Sequence, residues 1–226
     1  MNKAERSTEQ DELARHEALI KELEDGLPGK RHSNTRIFGT MLVAATISLI
    51  AAFVLSIDAV ALAANPTADL ACDVNAILSC GTVGTSWQAT AFGFHNAFLG
   101  LIFESMVITM ALIGISGVKI PRWLAVAEQI IYIFALVFAI WLFYQSMFSI
   151  GALCPWCLAI TYFTMIVFLS LLHYNIREDN IWRTGKGRAR ARAFIRNDGD
   201  LYVGICWFVL VTAAILMKYG PAVLGL

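Results

Sequence analysis

Residues 37–63 read IFGTMLVAATISLIAAFVLSIDAVALA, and Asp58 is the only charged side chain among them. A helix that crosses a bilayer needs roughly 20 apolar residues, so this stretch is long enough to span. Four more apolar stretches follow, at about 94–117, 122–149, 157–175 and 201–219. The hydrocarbon offers no water to backbone amides, so such segments must be helices, and together they form a bundle. The expected fold class is an all-α membrane protein with five transmembrane helices. Composition agrees: 58 % of residues are hydrophobic and 15 % charged, where a soluble domain keeps roughly a quarter charged.

The basic residues orient the bundle. All seventeen Lys and Arg fall within 1–36, 119–122 and 177–196, apart from Lys218. Alternate connections therefore carry the positive charge, and these are expected on the cytoplasmic side. The connections 64–93 and 150–156 hold no Lys or Arg, which places them outside. Residues 1–36 are read as a cytoplasmic segment with one short helix, Ser7 and Gln10 forming a capping box and Gly26 to Pro28 ending it. Residues 37–219 form the membrane domain, and 220–226 a short outer tail. The first apolar run follows a polar segment and is too long for a leader's hydrophobic core, so no cleavable signal peptide is expected. The run 177–196 is read as a cytoplasmic loop. A net charge of zero argues against a nucleic-acid partner, which would require a basic face.

Four of the five cysteines, Cys72, Cys80, Cys154 and Cys157, fall on the outer side, where disulfides persist. Cys206 lies alone in the last span and reads as a small buried hydrophobe. Four thiolates could hold zinc, but structural zinc sites use two short-spaced pairs in a polar module. Here the first pair is eight positions apart and the second sits at the bilayer surface, so no metal is expected. Cys154-Pro155-Trp156-Cys157 is the stronger signal. It opens a helix, where Pro155 suits the first position and free amides favour a thiolate at Cys154. Cys157 lies one turn deeper, toward lipid. Such a motif could be a plain structural bridge. A second pair on the same face makes a thiol–disulfide relay the better reading.

These residues resemble the vitamin K epoxide reductase family and its bacterial homologues. The likeness rests on CDVNAILSC at 72–80, then Ser86, Trp87, Phe92, Gly93, Asn96 and Gly100, then CPWC at 154–157. Bacterial oxidases of the DsbB type place their Cys-x-x-Cys before the separated pair, the reverse order. The resemblance implies four helices around a quinone site plus one extra helix. It implies that Cys72 exchanges with a partner thiol, that Cys80 passes electrons inward through a transient bond to Cys154, and that Cys157 sits beside the quinone. Asn96 falls where family members hydrogen-bond a quinone carbonyl, and Ser86 where a hydroxyl lies near the cysteines. Trp87 and Phe92 match aromatic walls or a lid, or else interfacial anchors. The implied cofactor is a membrane quinone of the menaquinone or ubiquinone type. No fused thioredoxin-like domain is expected beyond the last span, so the implied partner is a separate extracytoplasmic thioredoxin-like oxidase of the DsbA type.

One departure stands out. Animal members carry Tyr four residues after the second cysteine of the motif, whereas this chain has Thr161, with Tyr162 one step on. That step turns a helical side chain by about 100°, which leaves the second quinone carbonyl without an assigned partner. His95 could move a proton to the reduced ring or serve as an interfacial structural residue. Glu104 is an intramembrane carboxyl, a functional candidate by default. Glu128 and Gln129 are expected to snorkel to the cytoplasmic surface, and Asp73 to organise its loop. The function expected is a membrane thiol oxidase of a bacterial inner membrane. Its rivals are a quinone or quinone-epoxide reductase and a non-catalytic membrane protein with structural disulfides.

Overall fold

The computed structural model describes residues 30–223; the helix expected within 1–29 lies outside them. The described helices are α1 (Asn34–Ala64), the short α2 (Cys80–Gly84), α3 (Ala97–Ile115), α4 (Arg122–Gln145), α5 (Pro155–Arg177), α6 (Gly185–Arg196) and α7 (Gly199–Val223). Five are long and apolar enough to cross a membrane: α1, α3, α4 with its extension to Ile150, α5, and α7. The expected spans and the expected helical class are both present, and the chain is a multi-pass membrane protein.

Local chemistry sets the helix ends. Ser33 caps α1 by accepting the Arg36 N–H. Pro155 takes the first turn of α5, so that span starts two residues earlier than apolarity alone indicates. The second span starts three residues later than expected, at Ala97, because residues 94–96 belong to the connection that precedes α3. A wider π-type turn, Ser146–Ile150, extends α4 and closes on Gly151 at φ 77°. That left-handed conformation suits glycine.

α1 is the central helix, packed against both α3 and α5, while α4 packs on α5. Lipid tails are as apolar as leucine, so helices in a bilayer associate by close packing of small residues. Ala45, Ser48 and Ala52 are fully buried along α1. A Cβ on Gly100 would stand 2.7 Å from the Ala52 Cβ, and one on Gly114 would stand 2.4 Å from the Phe38 ring. Only glycine lets α3 approach this closely. Val43, Ile50, Ile57 and Val60 of α1 and Ile130, Phe134 and Val137 of α4 point outward, as a lipid-facing surface requires. α7 leans on α5 and α6 and is largely exposed along its length, making it the extra helix outside the four-helix core.

At the end away from the cysteines, polar groups pin the elements together. His173 pairs with Asp200 at 2.7 Å and with His32 at 2.9 Å. Arg31 bonds Asp200 at 2.7 Å, and the Arg177 guanidinium donates to the His32 carbonyl at 2.6 Å. The connection read as a loop at 177–196 contains the helix α6. Arg192 and Arg188 of α6 pair with Asp179 at 2.7 and 3.0 Å. Alternating basic residues hid this helix from an apolarity reading.

Candidate active site

The connection between α1 and α3 folds down onto the Cys154 loop. Leu78 forms a parallel bridge with Leu153: the Leu153 N–H donates to the Ile77 carbonyl at 2.7 Å and the Ser79 N–H to the Leu153 carbonyl at 3.0 Å. Asp73 organises the segment as expected, accepting from the Ser79 hydroxyl at 2.8 Å, the Gly81 N–H at 2.9 Å and the Leu70 N–H at 3.2 Å. Burial pushes the Asp73 carboxyl up, but the Gly81, Ser79 and Leu70 hydrogen bonds outweigh it and hold the group below its usual range. The loop cysteines are thus presented by a docked segment rather than a loose one.

Cys72 and Cys80 form a disulfide, and Cys154 and Cys157 are free. The Cys80 and Cys154 sulfurs stand 3.4 Å apart, with both residues at most 2 % exposed. That contact brings the two pairs within reach of a sulfur–sulfur exchange, shielded from water. Cys154 caps α5, its sulfur accepting the Cys157 N–H at 3.2 Å. The Cys157 thiol and the backbone N–H groups of Cys157 and Trp156 lower the Cys154 thiol pKa against the opposing effect of burial. A helix N-terminus does this because its first amides have no partners of their own.

Asp58, the one charged side chain of the first apolar stretch, lies with Oδ2 3.8 Å from the Cys72 sulfur. Once the bridge opens, this carboxylate can receive the Cys72 proton. Asp58, Cys72 and Cys80 place ligand atoms within 4.8 Å of one another. The two sulfurs share a bond, so bridge and metal exclude each other.

Behind the sulfurs lies a cavity of about 170 Å³, lined by Cys80, Cys154 and Cys157 and by apolar walls that include Leu55, Phe103, Phe138, Leu142 and Ile160. Ser86, His95 and Asn96 line it as well, together with Glu104, Tyr132 and Thr161. Asn96 donates to the Gln88 carbonyl at 2.6 Å, while its Oδ1 is buried without a hydrogen-bond partner among the described residues. His95 Nδ1 accepts the Ala97 N–H at 3.4 Å, which leaves Nε2 as the ring's donor when neutral. Burial lowers the His95 pKa and favours that neutral form. The Ser86 hydroxyl is turned to the Val83 carbonyl at 2.6 Å. An apolar slot with an open amide oxygen and an imidazole N–H at one end suits a flat ring bearing carbonyl or hydroxyl groups, and the sulfurs lie beside it. A quinone fits that donor and acceptor set.

Trp87 and Phe92 do not line the cavity. Trp87 packs edge-on against Trp141 and Phe92 against Phe138, so they form an outer layer behind the ring walls. Tyr162 turns away and bonds Thr212 of α7 at 2.9 Å. Thr161, at the position of the animal tyrosine, faces the cavity but donates to the Cys157 carbonyl at 2.9 Å. Cys206 is exposed on α7, apart from both pairs. Glu128 and Gln129 do not snorkel: they are 4 % and 2 % exposed, packed inward. Sequence reasoning missed Tyr132, whose hydroxyl donates to Glu104 Oε2 at 2.9 Å deep in the cavity. Its signal was the helical spacing of Glu128, Gln129 and Tyr132 on one face of an otherwise apolar span.

No curated protein matches the chain. Residues 40–172, more than half of the chain, match the family described as Vitamin K epoxide reductase family. That region contains α3, α4, the Cys-x-x-Cys and most of α1 and α5, together with the whole cavity lining. With its paired cysteines against a buried slot in a four-helix membrane core, the chain belongs to the vitamin K epoxide reductase family of membrane oxidoreductases.

Proposed function

We propose that the protein is a thiol oxidase that makes disulfides by passing electrons from a thioredoxin-like partner to a membrane quinone, with its cysteines at the outer face of a bacterial inner membrane and its N-terminus cytoplasmic. The observation that carries this reading is the 3.4 Å contact between Cys80 and Cys154, with Cys157 opening on the cavity.

The steps balance as follows. A partner thiolate attacks Cys72 and releases Cys80, and the partner's second thiolate then attacks the mixed disulfide, closing the partner's own bridge and freeing Cys72. The Cys80 thiolate attacks Cys154 of a closed Cys154–Cys157 bridge and releases Cys157. Cys72 attacks Cys80, which restores the outer bridge and leaves the inner pair reduced. That is the arrangement seen here, with the outer pair bonded and the inner pair open. The quinone supplies a two-electron, two-proton acceptor when bound. His95 Nε2–H would donate to one oxygen of its ring and stabilise charge that builds there, and Asn96 Oδ1 would accept from that oxygen once it carries a proton. The apolar walls exclude water, and the inner pair recloses as it gives up two electrons. Each exchange must run near level or downhill, since roughly 30 mV is about 1.4 kcal/mol for two electrons.

The decisive experiment follows oxidation of a reduced thioredoxin-like protein by the purified chain with a short-chain quinone. Cys157→Ala should lower turnover by about 10³-fold or more, as losing a covalent catalyst does, because Cys154 then has no partner to bridge and the Cys80 thiolate has no inner disulfide to attack. Turnover within a few-fold of the parent would end the proposal.

A further inference from the structure

We propose that the proton added at the buried end of the quinone is drawn from the membrane face opposite the cysteines, along a file of polar side chains carried by α4 and α5 to Glu104. The inference rests on the thiol-oxidase reading and gives that reaction a direction across the membrane.

The buried end is already equipped with acidic hydrogens. Tyr132 and Glu104 are 1 % and 5 % exposed, are bonded to each other at 2.9 Å, and both line the cavity. Asn96 immediately precedes α3 and Glu104 lies eight residues further on, a rise of about 12 Å. A quinone's two carbonyl oxygens point away from each other across the ring. With a hydrogen bond of about 2.8 Å at each oxygen, the ring spans a gap of that size. One oxygen then faces Asn96 and the sulfurs, and the other faces Glu104.

The file continues away from the cysteines. Glu128 lies one helical turn before Tyr132 on the same face of α4, and its Oε2 is buried with no hydrogen-bond partner among the described residues. Gln129 Nε2 is likewise buried and unpartnered. An open acceptor and an open donor on adjacent buried positions are costly unless water bridges them. Gln129 Oε1 accepts from Asn175 Nδ2 at 3.3 Å, and Asn175 Oδ1 accepts from Asn180 Nδ2 at 2.9 Å. The Asn180 carbonyl accepts from Arg122 Nε at 2.6 Å, and Arg122 is exposed at the start of α4. Clasping α4 to α5 accounts for the amides, since Asn175 also donates to the Ala125 carbonyl at 3.0 Å. It does not account for Glu128, a carboxyl whose second oxygen touches no donor in a helix that apolar packing would hold equally well.

The balance is as follows. Cys154 and Cys157 close their bond and give two electrons to the ring. One thiol proton goes to the ring oxygen nearest the sulfurs and the other to water on the cysteine face. The far oxygen takes its proton from Glu104, which is refilled through Tyr132, Glu128 and bridging water from the opposite face. Each dithiol oxidised thus removes one proton from that face.

The test uses vesicles carrying the full chain, a short-chain ubiquinone in the bilayer and a pH dye trapped inside, with valinomycin and potassium to prevent charge build-up. A dithiol peptide too polar to cross is added outside, so only molecules with outward cysteines turn over. The expected result is one proton lost from the lumen per dithiol oxidised, and a Glu128→Gln variant whose lumenal uptake per dithiol falls at least about 10-fold. Dithiol oxidation with an unchanged lumenal pH in the parent protein overturns the proposal without needing any variant, and leaves the thiol-oxidase reading intact. Full uptake by Glu128→Gln overturns the file. No quinone reduction at all sinks the thiol-oxidase reading and this inference with it.

Discussion

The two ends of the bundle are built from different chemistry. At the cysteine end, the connections 64–93 and 150–156 carry no Lys or Arg, and the loops are held by backbone hydrogen bonds, one disulfide and the Asp73 carboxylate. At the opposite end, Arg31, His32, His173, Arg177 and Asp200 form one continuous polar cluster. The difference follows from what each end must do. A sulfur exchange needs bonds that break and re-form at little cost, and fixed cations nearby would trap a thiolate in one place. The polar cluster at the other end holds α1, α5 and α7 in register, and paired charges do that rigidly. Bond exchange and anchorage are thus kept a membrane's thickness apart.

This contrast can be broken from the anchoring end first. Asp200→Asn removes the carboxylate that serves both His173 and Arg31 and leaves a partly buried Arg31 without that partner. Destabilisation of about 3 kcal/mol is expected, read as a lowered thermal midpoint in detergent, with turnover per folded molecule unchanged. A fall in turnover without loss of stability would show that the two ends are not separate. At the cavity the opposite pattern is expected. Asn96→Ala should raise the KM for quinone about 10-fold, the worth of a hydrogen bond or so, and leave the melting point within a degree or two of the parent. An unchanged KM would remove Asn96 from the quinone site.

The smallest effect sharpens the picture at the loop. The folded Asp73 group sits below its usual range, so it stabilises the docked loop above the ordinary carboxyl pKa of 3.8. That contribution fades as pH falls through the lower, folded value. Asp73→Asn should remove this acid-dependent step while changing little at neutral pH. Protection of the Gly81 amide from hydrogen exchange measures it, and an unaltered acid profile in the variant would assign the step to another group.

Much of this molecule could be read from residue order. Five apolar runs with basic residues in alternate connections determine a five-helix membrane protein, because neither the hydrocarbon nor the charge asymmetry tolerates another arrangement. The Cys-Asp-Val to Ser-Cys segment and Cys-Pro-Trp-Cys pointed to a sulfur relay for the same local reasons. Tertiary structure alone decided which sulfurs touch, that Trp87 and Phe92 stand behind the cavity wall, and that Tyr162 turns to α7. It alone paired Tyr132 with Glu104 and buried Glu128 and Gln129. These are outcomes of how helices rotate and pack against one another. A helical period tells which residues share a face but not what that face meets, and only the close approach of neighbouring helices settles whether a polar group finds a partner, a cavity or nothing.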